Sequence, residues 1–119
     1  MTGADTTGSG DIDWEVFKGL VDTLPKATFD LLLRNVELAS DKILSELENP
    51  AVDGARACAL AHELRGMLIN FALAGAASTV QEIERSGGDL ARRQELLPRL
   101  AAEISDGITT ITGAAHNAQ

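Results

Sequence analysis

Apolar residues recur every three or four positions along nearly the whole chain, with charged residues between them. That spacing predicts helices and offers no strand alternation or hairpin turn. Trp14, Phe17 and Val21 mark a short first segment, which Asp11 or Asp13 can cap and which should end before Pro25. Pro25 suits the first position of a second helix, carrying Phe29, Leu32, Leu33, Val36, Ala39, Ile43 and Leu47 until Asn49-Pro50 stops it. Asp53 or Gly54 opens a third, with Ala57, Leu60, Ala61, Leu64, Met67, Leu68 and Phe71 on one side, and Gly75 marks the expected break. A shorter helix with Val80 and Ile83 follows and ends at Ser86-Gly87-Gly88. Asp89 can cap the last helix, where Leu97, Leu100, Ile104, Ile108 and Ile111 line up. Pro98 either falls in its first turns or kinks it.

Four amphipathic helices with short connections, preceded by a shorter one, predict an all-α fold: an up-and-down four-helix bundle with a short additional N-terminal helix. Residues 1–10 offer nothing to bury and are expected to be a disordered lead. The bundle should span 11–113 and residues 114–119 should fray. At 119 residues the chain has room for one domain.

Ten basic against eighteen acidic residues give a formal charge of −8. That balance speaks against nucleic acid, because nothing neutralises phosphates, and against an anionic membrane surface. One cysteine allows neither an internal disulfide nor a thiolate-rich zinc site. The first ten residues lack the basic and apolar regions of a signal peptide, and no apolar run approaches the roughly 20 residues of a membrane span. A cytoplasmic location is expected.

The third helix holds the informative chemistry. At about 100° per residue, His62 points roughly 160° away from the centre of the apolar stripe. Around it lie Ala55, Cys58, Ala59, Gly66, Ile69 and Leu73, with Arg65 at the edge. An outer helix face in an acidic protein normally carries Glu, Lys and Gln. A rotated helix that simply buries these residues is one reading. An interaction surface is the other: small residues let a partner approach, and Cys58, Ala59, Ile69 and Leu73 would dock it. Gly66 favours the second reading, since a glycine inside a helix costs about 1 kcal/mol and its missing side chain opens access to the imidazole. An exposed histidine, largely neutral at physiological pH, is a nucleophile for a phosphoryl group. Arg65 could pair with the phosphoryl oxygens as charge develops.

The segment Leu60-Ala61-His62-Glu63-Leu64-Arg65-Gly66 resembles the phosphoacceptor motif A-H-x-L-[KR]-G of histidine-containing phosphotransfer domains. Ile83-Glu84 falls where that family often has an L-E pair, and the likeness runs from residue 12 to about 112, though only the His62 segment is specific. The chain departs from the family at Met67, where a small residue is usual, and at Ala72, where a Gly is often found. The resemblance implies a phosphorelay carrier: His62 accepts phosphate from a receiver-domain aspartate and passes it to another. It implies response-regulator receiver domains or a hybrid histidine kinase as partners. It also implies no cofactor in this chain, with Mg²⁺ held by the receiver. The His62-Glu63-Leu64-Arg65 stretch also resembles the H-box of sensor kinases, but Gly66-Met67 stand where that box has Thr-Pro. A kinase-type dimerisation domain supplies two helices per chain, whereas this chain supplies four, so a monomer is expected. A helical adaptor that binds a partner through the same face, without phosphorylation, is the alternative.

Other candidates are weaker. Cys58 and His62 are four apart, but two ligands are too few for a closed metal site. His116 lies in a Gly/Ala-rich tail and reads as solvated. Asp5, Asp11 and Asp13 lack a Ca²⁺-loop pattern, Ser78 and Thr79 have no basic partner, and Gly87-Gly88 lacks the Lys-Ser/Thr of a phosphate loop.

Overall fold

A computed structural model describes residues 11–118, and within them every regular element is a helix. The five are α1 (Trp14–Thr23), α2 (Lys26–Glu48), α3 (Gly54–Asn70), α4 (Ala74–Arg85) and α5 (Leu90–Ala118). The expected lead at 1–10 lies outside the described residues.

The starts follow local chemistry. Asp13 accepts from Val16 N–H at 3.2 Å, Asp53 from Arg56 N–H at 2.8 Å and Asp89 from Arg92 N–H at 3.0 Å, each satisfying a donor the helix leaves free. Pro25 sits one place outside its expected position, as the cap residue itself, with α2 beginning at Lys26.

One core runs through the molecule. α3 packs between α2 and α4, α5 packs against α4 and α2, and α1 lies on α2 and α5. Leu47, Ala61, Leu64, Leu68, Val80, Leu100 and Ile111 are fully enclosed. On α2 the stripe is narrower than expected. Leu32 is 36% exposed and Ala39 half-buried, while Ser40 takes an enclosed position between Val36 and Ile43. The residues at 29, 33, 36, 40, 43 and 47 share one side, and Leu32 stands off it.

The corner between α3 and α4 is the main departure in chain path. The break expected at Gly75 falls three residues earlier, at Ala72, whose φ is +70°. Ala72 N–H donates to Ile69 O at 3.1 Å and Leu73 N–H to Leu68 O at 2.8 Å. This is a Schellman closure, with Leu73 folding back over Leu68. An alanine in this left-handed conformation costs about 1–2 kcal/mol; here its methyl is fully enclosed. Gly75 instead allows close approach of the N-terminal segment. A Cβ there would stand 2.8 Å from Asp11 Oδ1 and 3.0 Å from Asp11 Cα. Asp13 N–H donates to Ala72 O at 2.8 Å, so the corner also anchors the start of α1.

The last helix is longer than expected. It continues to Ala118 with Ala115 buried, so the described part of the tail is helical, not frayed. Pro98 lies on its exposed side, two turns in, without interrupting it.

The start of α3 touches the α4–α5 turn through backbone alone. A Cβ on Gly54 would meet Gly88 Cα at 2.7 Å. Gly54→Ala is expected to destabilise the fold by about 1–3 kcal/mol, because backbone must move. Urea unfolding checks this as a lower midpoint with an unchanged slope.

Candidate functional site

Burial of Ala57, Leu60, Ala61, Leu64 and Leu68 against the core fixes the rotation of α3. His62 therefore points outward, its side chain 73% exposed. The reading in which this segment is rotated inward is excluded for His62, Ala59, Gly66 and Ile69, which are all exposed.

The imidazole is nevertheless held. Its Nδ1 lies 3.1 Å from Oε2 of Glu84, which reaches across from α4. An ionised carboxylate only accepts, so Nδ1–H is the donor in this contact, and Nε2 has no hydrogen-bond partner among the described residues. Arg65 Nη1 stands 3.7 Å from the other oxygen, Oε1, of the same Glu84. Glu84 thus bridges the two residues singled out from the sequence. Its side chain is only 25% exposed, and Oε1 is buried with no hydrogen-bond donor among the described residues. The distance of 3.7 Å makes the Arg65 contact a charge pairing rather than a hydrogen bond.

The remaining predicted residues divide. Ala59 is exposed, and a side chain at Gly66 would meet nothing within 4 Å. Packing gives no reason for a glycine there, so the helix loses about 1 kcal/mol of stability for open space one turn from the imidazole. Ile69, 45% exposed, borders a cleft of about 210 Å³ between α3 and α4, shared with Arg65, Asp13, Ala77, Ser78 and Gln81. Two expected docking residues are not on this surface. Leu73 is 1% exposed, because the helix ends at Asn70 and the Schellman closure turns Leu73 inward. Cys58 is half-buried and belongs to the α3–α4 contact, its Sγ donating to Glu84 O at 3.5 Å.

Glu84 is the residue that the helical arithmetic missed. Its partners lie 22 and 19 positions upstream, so no single-helix spacing connects them. The available signal was the Ile83-Glu84 pair, noted only for its likeness to the family. Among the described residues, no group of three or more His, Cys, Asp or Glu side chains could hold a metal. No described helix is long and apolar enough to cross a membrane. His116 is exposed near the end of α5.

No protein-family model, curated protein or solved structure matches the chain.

Proposed function

We propose that the protein is a phosphorelay intermediate of the histidine-containing phosphotransfer type, with His62 as the phosphoacceptor. The observation that carries the reading is an exposed imidazole oriented through Nδ1 by a carboxylate, so that Nε2 is free to attack. The motif around His62 supports it, as does the ring of packed helices α2–α5 with α1 beside them. We read that ring as an up-and-down four-helix bundle with a short N-terminal helix.

In the proposed reaction the Nε2 lone pair attacks the phosphorus of a receiver domain's aspartyl phosphate. The P–N bond forms as the aspartyl P–O bond breaks, and the bonding pair leaves with the receiver's carboxylate. Nδ1 keeps its proton, so the ring becomes cationic, and Glu84 stabilises that charge at 3.1 Å. Return to a second receiver reverses these bond changes. Arg65, beside Glu84, can turn toward the phosphoryl oxygens while keeping the site's charge balanced. Gly66 and Ala59 leave room for the receiver, and Ile69 gives it an apolar contact at the cleft.

The chain is on this reading a carrier that reacts only with a partner, a response-regulator receiver or a hybrid histidine kinase. It needs no cofactor of its own, Mg²⁺ being the receiver's, and it acts in the cytoplasm.

Transfer from a panel of phosphorylated receiver domains tests the proposal, read as acid-labile, base-stable label on the chain. Glu84→Ala is expected to slow acceptance about tenfold or more, the value of one charge-assisted hydrogen bond. Glu84→Gln, which keeps an acceptor for Nδ1–H, should lose less. No label from any receiver, with binding retained, would favour the adaptor reading instead.

A further inference from the structure

Glu84 meets the imidazole with one oxygen, Oε2, at 3.1 Å from Nδ1, while its other oxygen is buried beside Arg65. A ring carrying a phosphoryl group on Nε2 has two forms. With the Nδ1 proton it is cationic and donates to Glu84 as the free ring does. Without that proton, Nδ1 turns a lone pair toward an oxygen that only accepts, and a phosphoryl dianion stands on the far side of the ring. The contact therefore favours the cationic form.

We infer, resting on the phosphorelay reading, that Glu84 holds phosphorylated His62 in its cationic form to higher pH, so that the chain discharges phosphate quickly instead of storing it. The cationic form is the one with a good leaving group. Water attacks phosphorus, a P–O bond forms as the P–N bond breaks, and the bonding pair returns to Nε2. The ring leaves neutral, its proton still on Nδ1, and both protons of the water stay with the inorganic phosphate. From the deprotonated form the same step would have to expel an imidazolate anion.

Water has a path to the phosphorus. His62 is 73% exposed, and about one turn to either side stand Ala59, also exposed, and Gly66, where a Cβ would meet nothing within 4 Å. Neither is large enough to shield a phosphoryl group. With no acceptor docked, the group drains to inorganic phosphate.

The charges around the ring come from few groups. Glu84 reaches it from α4, and Arg65 on α3 pairs with Glu84 at 3.7 Å. Cys58, one turn earlier, donates to the Glu84 carbonyl. From α2, Glu46 reaches α3 but is taken up by Arg56 at 3.2 Å. From the start of α1, Asp13 shares the cleft with Arg65 and caps Val16. Among the described residues, no other acid or base pairs with the ring or with Glu84.

Phosphoramidate, a small phosphoryl donor that needs no receiver, provides the test. The labelled chain is freed of donor, and loss of label is followed from pH 6 to 9. Hydrolysis should be fast at acid pH and fall through a midpoint as the ring loses its proton. In Glu84→Gln, which bonds either form of the ring but carries no charge, that midpoint should lie about one pH unit lower. At pH values above both midpoints, the wild-type chain should then lose label about tenfold faster than the variant. Arg65→Gln, which leaves the charge of Glu84 uncompensated, should move the midpoint the other way. Circular dichroism of both variants should match wild type, and His62→Gln should take no label. Label on His62 whose loss follows one pH profile in wild type and Glu84→Gln overturns the inference and leaves the phosphorelay reading standing. So does a midpoint that Arg65→Gln lowers. A His62 labelled neither by phosphoramidate nor by any phosphorylated receiver overturns both.

Discussion

Replacing His62 with Gln is expected to reduce phosphoryl acceptance to below about a thousandth of the wild-type rate, because the proposed nucleophile is removed. The substitution should leave stability within about 0.5 kcal/mol, as His62 is exposed and bears little packing. Gln can still donate from its amide to Glu84, so the Glu84–Arg65 contact and the surrounding surface should persist. Receiver binding by titration calorimetry should therefore survive while label transfer vanishes. His116 provides the internal control. It is also exposed, but it has no carboxylate in hydrogen-bond contact among the described residues, and His116→Gln should transfer at the wild-type rate.

Truncation of Arg93 to Ala is expected to destabilise the fold by about 2–4 kcal/mol. Arg93, in the first turn of α5, is 2% exposed, and its Nη2 donates to Asn49 O at 3.2 Å and Val52 O at 3.0 Å. Those two carbonyls belong to the turn between α2 and α3. The side chain thus fastens the start of the last helix to the turn that sets up α3. Its partners are carbonyls rather than a carboxylate, and its Nε is buried without an acceptor among the described residues. Its desolvation is therefore only partly offset. Arg93→Met keeps the aliphatic stem and removes the buried charge, so it should cost about half as much or less. Urea unfolding of both variants decides the matter; a truncation worth less than about 0.5 kcal/mol would show that the two bonds contribute nothing net.

Helix positions were legible because their determinants are local. Asp13, Asp53 and Asp89 cap where their sequence neighbours suggest, and Asn49-Pro50 and Ser86-Gly87 end helices as expected. The outward setting of His62 was legible for the same reason: its apolar neighbours on α3 repeat cleanly and can be buried on only one side. The corner at Ala72 was not. Gly75 looked like the break because glycine enters the left-handed region freely, whereas the chain places an alanine there and uses Gly75 to admit Asp11. Extending α3 through that corner put Leu73 on the wrong face. Residue 32 on α2 was misjudged because a leucine at helical spacing looks like core whether or not a neighbour covers it. Glu84 escaped because a contact between two helices has no period in the sequence. That contact turns a lone exposed histidine into an oriented one.

The proposal's central feature is the pairing of Nδ1 with Glu84, which on the phosphorelay reading leaves Nε2 to react. Long-range ¹H–¹⁵N NMR of the His62 ring, before and after reaction with a phosphorylated receiver, tests it most directly. The expected spectra show the Nδ1–H tautomer of the neutral ring, then a phosphoryl group on Nε2 with the Nδ1 proton retained. Glu84→Ala should lower the Nδ1–H population. A ring that carries its proton on Nε2, or a phosphoryl group found on Nδ1, on His116 or on no histidine, would contradict the account.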